Sequence, residues 1–332
     1  MKKVVWGVLS TAKIGVKQVI PAMQLSPWCD MRAIASRSLP AAQAAADALG
    51  LAKAYGSYEE LIADPEIEAI YNPLPNHLHI PLTLQAARAG KHVLCEKPFS
   101  LTAAEAEQLR EVAGRVHIME AFMVRFHPQW QRVRELVRAG RIGTPRAVQV
   151  FFSYFNDDPG NIRNQADIGG GALFDIGCYA IVAGRDLFEA DPARVIALVD
   201  RDPALGTDRT TSALADFGGG RQLGFTVSTQ AQRYQRLNIV GTGGRIEVLI
   251  PFNAPQGEAT TILVDTTGAL DGSGVERETL QPCDQYTLQG EAFSRAVRAE
   301  VMLPYGLDDA VMNMRIIDAL LRSEHSGRWE AP

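Results

Sequence analysis

Several scaffolding devices are missing from this chain. Its 332 residues include four cysteines, Cys29, Cys95, Cys178 and Cys283. No two of them form a CxxC pair, which argues against a disulfide framework, a zinc ribbon or any other metal set; they read as small buried apolar residues. A basic excess is missing too. Thirty-three Lys and Arg stand against 38 Asp and Glu, for a net charge of −5, so nucleic acid, which calls for a clustered basic face, is not an expected partner. No run of about 18 apolar residues offers a membrane span. The N-terminal apolar run ends at Ser10, and Lys13 and Lys17 follow, which is too short for a secretory leader. A soluble, cytoplasmic chain is expected. What is present is ordinary: 46% hydrophobic and 21% charged residues fit a globular protein, and the length suggests two domains.

The first 120 residues alternate short apolar runs with helical stretches. Strands are expected at Val4–Leu9, Met31–Ser36, Ile67–Tyr71, Lys91–Cys95 and Val116–Met119. Between them, Ser57 with Glu60 and Thr102 with Glu105 have the spacing of capping boxes. This alternation implies βαβ units and a doubly wound parallel sheet, an α/β domain over residues 1–122. Beyond it, short strands separated by glycine-rich turns such as Gly218-Gly219-Gly220 and Gly241-Thr242-Gly243-Gly244 dominate. They predict an α+β domain over 123–332 with an open, mostly antiparallel sheet.

At the first turn, a dinucleotide fold wants G-x-G-x-x-G, and Ser10, Ala12 and Gly15 occupy those positions. The small side chains still admit a pyrophosphate against the turn, which runs through Thr11, Lys13 and Ile14. A protein binding NAD usually carries an acid about 20 residues further on, whereas an arginine accommodates the 2′-phosphate of NADP. Here the strand ends Ser36-Arg37-Ser38. NADP is therefore the expected coenzyme, with NAD the lesser choice.

Two further clusters carry candidate chemistry. Glu96-Lys97-Pro98 follows a parallel strand at the end where such sheets bind ligands. Gly169-Gly170-Gly171 precedes Asp175 and Tyr179, which share one face if a helix starts after the glycines. A tyrosine works as acid or base near neutrality only if its phenolate is stabilised, and an ammonium such as Lys97 would do that. On spacing alone, a core aromatic and a helix-start acid account for the pair equally well.

The Glu96-Lys97-Pro98 triplet, the stretch from Gly169 to Tyr179, the Pro75-Asn76-x-x-His79 segment and Glu120-Ala121-x-Met123-x-Arg125-x-His127-Pro128 together resemble the glucose-fructose oxidoreductase / inositol dehydrogenase (Gfo/Idh/MocA) family. Within it the chain looks most like the branch of dimeric dihydrodiol dehydrogenase and NADP-dependent D-xylose 1-dehydrogenase. The resemblance implies a Rossmann domain followed by a sheet whose outer face often mediates dimerisation, so a homodimer or higher homo-oligomer is expected. It implies Lys97 as the catalytic lysine, Asp175 as the acid that orients substrate and Tyr179 as the acid/base. Inositol dehydrogenases carry His where this chain has Tyr179, which weighs against an inositol.

The resemblance also places Pro73, Leu74, Asn76, His79 and Glu96 beside Lys97 at the coenzyme, and Arg125 and Arg163 among the substrate contacts. The expected activity is hydride transfer between NADP and a carbinol carbon of a sugar or vicinal diol, with an aldose 1-dehydrogenase favoured. A ketosugar reductase and a non-catalytic, NADP-dependent ligand sensor are the alternatives inside the family. A methyltransferase on the same fold is the alternative outside it.

Overall fold

The computed structural model describes residues 2–332. Residues up to Met123 together with Asp284–Val311 form one compact unit; Val124–Cys283 with Met312–Pro332 form a second.

The first unit is built on six parallel strands: β1 (Val4–Leu9), β2 (Cys29–Ala35), β3 (Lys53–Tyr55), β4 (Ala69–Asn72), β5 (His92–Cys95) and β6 (Ile118–Glu120). Their order is β3-β2-β1-β4-β5-β6, with the switch of direction between β1 and β4, where such sheets open a ligand crevice. The central strands are apolar on both faces, and Val4, Trp6, Val8, Leu9, Ile70 and Leu94 are fully buried, as a sheet covered on both sides requires. Both capping boxes form: the Ser57 hydroxyl accepts from Glu60 N–H and the Thr102 hydroxyl from Glu105 N–H, each at 3.2 Å.

The helix Gln285–Val297, expected from the sequence in the C-terminal domain, packs within this first unit. Trp6 Nε1 donates to Ser294 Oγ at 3.1 Å, and a methyl at Gly290 would strike Met23. The reason is physical: β1 and the helix Ile20–Gln24 need an apolar cover, and this later segment supplies part of it through Phe293 and Gly290.

The second unit carries an eight-stranded sheet of β7 (Pro145–Phe155), β8 (Arg194–Arg201), β9 (Asp208–Asp216), β10 (Gln222–Ser228), β11 (Gln230–Gly241), β12 (Arg245–Val248), β13 (Thr260–Asp265) and β14 (Val275–Leu280). The order is β14-β13-β12-β11-β7-β10-β9-β8, and every pairing is antiparallel except β7 with β10. The inner face, with Val148, Val150, Phe152, Leu237 and Ile239, is buried. The segment Ala166–Phe188 is long and apolar enough to pass for a membrane span on composition alone, yet 67% of it is buried inside the protein. Its C-terminal part, the α-helix Cys178–Phe188, lies in the core of this unit.

Candidate active site

The sequence candidates fall into two clusters, one in each unit. In the first, the turn after β1 holds Ser10 at φ +105°, in the left-handed region that favours glycine. The first glycine of the fingerprint is thus replaced by a residue that keeps its backbone shape. Local bonds compensate: Ser10 N–H donates to Ala35 O at 2.9 Å, and Ser10 Oγ accepts from Ala12 N–H at 3.2 Å. The following helical stretch opens with wide π-type turns over Gly15–Val19. A Cβ on Gly15 would lie 3.6 Å from Pro73 and 3.7 Å from Tyr71, so the turn and the end of β4 lie together. Thr11, Ala12 and Ile14 are half-buried here, and Lys13 is exposed.

At the end of β2, Arg37 is exposed, and among the described residues its guanidinium has neither a hydrogen bond nor an ion pair. The Ser38 hydroxyl does not cap the helix that follows it. No carboxylate follows the strand here, so a free cation with two hydroxyls nearby fits a 2′-phosphate and not a bare ribose.

The loop around Lys97 is braced from three sides. Tyr71 Oη donates to Glu96 Oε1 at 2.7 Å, and the other Glu96 oxygen accepts from Lys97 N–H at 3.2 Å. Burial, followed by the Glu96 carboxylate, pushes the Tyr71 phenol well above its ordinary range, so it stays a donor. Glu120 Oε1 accepts from Phe99 N–H at 3.0 Å. Asn72 holds the Leu74 N–H and donates to His79 O and to Thr83. Tyr286, in the helix Gln285–Val297, faces Glu96 and Lys97, and burial raises its phenol as well. Asn76 opens the short helical turn Asn76–Leu78.

His79 belongs to the same bracing. It is fully buried, with Nδ1 on Pro98 O at 2.8 Å and Nε2 on Leu74 O at 2.7 Å. Burial outweighs both carbonyls and lowers its pKa to about 4. With both nitrogens engaged, His79 holds the Lys97–Pro98 turn to the loop that follows β4.

In the second unit, Asp175 lies in a π-type stretch, Leu173–Gly177, that runs directly into the α-helix Cys178–Phe188 carrying Tyr179. The Asp175 carboxylate accepts from Tyr154 Oη at 2.6 Å on one oxygen and from Arg163 Nε at 3.1 Å on the other. Two charged or strongly polar donors hold it in one orientation. The Arg163 guanidinium is held charged chiefly by Asp175 and in smaller part by the Tyr154 and Tyr179 hydroxyls, which places all four groups in one electrostatic neighbourhood. Its side chain is 44% exposed, and its Nη groups form no bond to other described residues. The Tyr179 ring lies among Phe152 and Phe252, with centroids at 6.0 and 5.5 Å.

Arg125 is held inside the second unit. Its side chain is 3% exposed and pairs with Asp186, itself 4% exposed, at 3.1 Å. The ion pair is buried, and Arg134 Nη1 lies 3.8 Å from the other Asp186 oxygen.

Tyr71, Asn72, Tyr154 and Tyr286 were not among the sequence candidates. Tyr71-Asn72, ending an apolar strand, carried a readable signal; the other two are brought in by tertiary packing alone. Among the described residues, no group of three or more His, Cys, Asp or Glu could hold a metal ion.

Comparison with known proteins agrees with this geometry. Residues 4–124 match the oxidoreductase family with an NAD-binding Rossmann fold, and residues 130–247 match the Gfo/Idh/MocA C-terminal domain. The chain belongs to the Gfo/Idh/MocA family. It is 40% identical over 326 residues to a D-xylose 1-dehydrogenase (NADP(+)) of Haloferax volcanii, covering 97% of this chain and 98% of the relative. It is 32% identical to a trans-1,2-dihydrobenzene-1,2-diol dehydrogenase of Xenopus laevis over 73% of this chain and 74% of that one. Among solved structures, a 3-ketoreductase from Actinomadura kijaniata in complex with NADP and TDP-benzene superposes with a TM-score of 0.90 at 29% identity, covering 97% and 98% of the two chains. This Gfo/Idh/MocA chain is an NAD(P)-dependent oxidoreductase.

Proposed function

We propose that this enzyme moves hydride between NADP and a carbinol carbon of a sugar or vicinal diol, with an aldose oxidised at C1 as the favoured reaction. The observation that carries the reading is the Asp175 carboxylate, held by Tyr154 and Arg163 a few residues before Tyr179. A fixed anionic acceptor with free guanidinium donors beside it suits a substrate that presents neighbouring hydroxyls. The coenzyme is NADP, and the unpaired Arg37 is the group assigned to its 2′-phosphate.

Bound NADP supplies the hydride acceptor in the oxidative direction. Tyr179 takes the proton from the reacting hydroxyl at its Oη. Lys97 supplies the positive charge that favours the phenolate and polarises the substrate oxygen. Asp175 accepts from a neighbouring hydroxyl and so fixes which carbon reacts. Acid/base assistance of this kind is worth about 10²–10⁴-fold.

Tyr179→Phe and Lys97→Met are each expected to lower turnover by at least about 100-fold while NADPH fluorescence titration still reports binding. Turnover near that of the unaltered enzyme in both variants would remove the assignment. A ketosugar reductase is the second reading, favoured by the 3-ketoreductase relative. NADPH production with an aldose and diol panel, set against NADPH consumption with ketosugars, separates the two; no turnover with either panel would leave the sensor.

A second copy of the chain is the proposed partner. The outer face of the second sheet exposes Phe151 on β7, Leu198 on β8, Leu214 on β9 and Tyr234 on β11. These line one shallow groove on a face that the antiparallel pattern leaves open.

A further inference from the structure

The chemistry proposed for Asp175 and Tyr179 depends on where their helical stretch begins. That start is held by a residue 35 positions further along the chain. Asp208, the first residue of β9, is 4% exposed. Its Oδ2 accepts from Leu173 N–H at 2.7 Å and from the Thr211 hydroxyl at 2.8 Å. Its Oδ1 fills the space beside Gly171: a Cβ there would lie 1.8 Å from it, at a φ of +122° that L side chains rarely adopt. Gly171 N–H in turn donates to Arg163 O at 2.8 Å, Gly170 N–H to Gln165 O at 2.9 Å, and Asp175 N–H to Gly171 O at 3.0 Å. One carboxylate thus secures the turn from which both Arg163 and Asp175 project.

A carboxylate at the start of a helical stretch satisfies an orphan N–H and meets the positive end of the peptide dipoles. It is nonetheless costly to bury. No ammonium or guanidinium pairs with Asp208 among the described residues. Arg201, its cross-strand partner on β8, acts on it only at longer range and is itself bound to Glu324. Burial pushes the Asp208 carboxyl up to about 6, against the Thr211 and Leu173 bonds and the Arg201 charge that lower it. Helix capping alone needs no charge, because serine or asparagine serves.

We propose that Asp208 is a positioning residue for the reaction, setting from β9 where Asp175 and Tyr179 stand. The proposal rests on the reading that those two residues touch the substrate. Its failure is distinguishable from the failure of that reading, which Tyr179→Phe tests independently.

The experiment compares Asp208→Ala with Asp208→Asn, which keeps a carbonyl oxygen for the Leu173 N–H. Losing a buried acceptor and the alignment it enforces should lower kcat of Asp208→Ala by about 10–100-fold, with the NADPH dissociation constant within about twofold because the coenzyme cluster is untouched. Asp208→Asn, which keeps the acceptor but not the charge, should recover only part of that loss and stay at the level the unaltered enzyme reaches below pH 6. The unaltered enzyme should show an acid limb in kcat near pH 6, where the carboxyl takes its proton, and Asp208→Asn should lack it. A folded Asp208→Ala with unaltered kcat overturns the proposal, as does an Asp208→Asn no better than Asp208→Ala. If Asp208→Ala does not fold, the pH profile of Asp208→Asn decides: an acid limb identical to that of the unaltered enzyme overturns it.

Discussion

The charges that matter here are few and locally committed, and single side chains separate binding from scaffolding. Arg37 and Arg125 are both arginines close to expected ligand positions, yet only one is available. Arg125 is sealed against Asp186, whereas Arg37 is exposed and unpaired. A guanidinium that gains a phosphate through charge-assisted bonds contributes about 1.5–3 kcal/mol. Arg37→Ala should therefore raise KM for NADP by about 10–100-fold and leave KM for NAD nearly unchanged. Steady-state kinetics with both coenzymes check this, and an equal rise for the two would refute the phosphate role. His79 makes the same distinction from the other side: a polar residue beside the coenzyme motif, with both nitrogens already engaged, is part of the frame.

At the level of elements, what could be read in advance was whatever is decided locally. The capping boxes at Ser57 and Thr102 formed because each needs only residues three apart. The parallel strands were visible as apolar runs because both their faces are covered. β14, with the sequence Val-Glu-Arg-Glu-Thr-Leu, escaped notice. It is a polar edge strand that exists by pairing with β13, and charge on an edge discourages further pairing. Tyr154 and Asp208 were illegible for a related reason, since each acts on a residue 21 to 35 positions away and no spacing rule reaches that far. Asp175 and Tyr179 were legible as a pair, but the π-type stretch that starts their helix was not. The strand faces also carry a prediction. Leu198 on β8 is 77% exposed on the face of the proposed subunit contact. Leu198→Arg with Leu214→Arg should convert a dimer to a monomer in light scattering, with the far-UV circular dichroism unchanged. A chain that is monomeric before substitution would refute the contact.

For the molecule as a whole, stability should follow pH through its buried imidazoles. His79, His92 and His127 are each lowered to about 4, burial being the leading cause in every case. Unfolded imidazoles take up protons near pH 6.5, so between about 6.5 and 4 the unfolded chain binds more protons than the native one. Stability from these groups is full above that window and is lost as pH falls through it. Asp208 runs the other way between about 6 and 4, since its folded pKa is raised, but it is one group against three. Asp64 and Glu68 are lowered to about 2: burial opposes the shift, but Lys53 and Tyr55 outweigh it at Asp64, and Arg298 and the Val5 N–H do so at Glu68. Their stabilisation holds above about pH 4 and goes as pH approaches 2. Tm measured from pH 8 downward should fall first between 6.5 and 4 and again toward 2; a Tm constant across the upper window would contradict the neutral, buried state of the histidines.

The return of Asp284–Val311 to the first unit also bears on how the protein is made. A ribosome delivers residues up to Met123 long before the segment that covers Trp6 and Met23. The coenzyme-binding unit therefore waits with part of its apolar surface uncovered while 160 residues of the second unit, Val124–Cys283, are synthesised. Contacts of such long sequence separation form late and expose the chain to association in the meantime. The second unit waits in its turn for Met312–Pro332, the last residues synthesised, so neither unit is complete until the chain has passed through both.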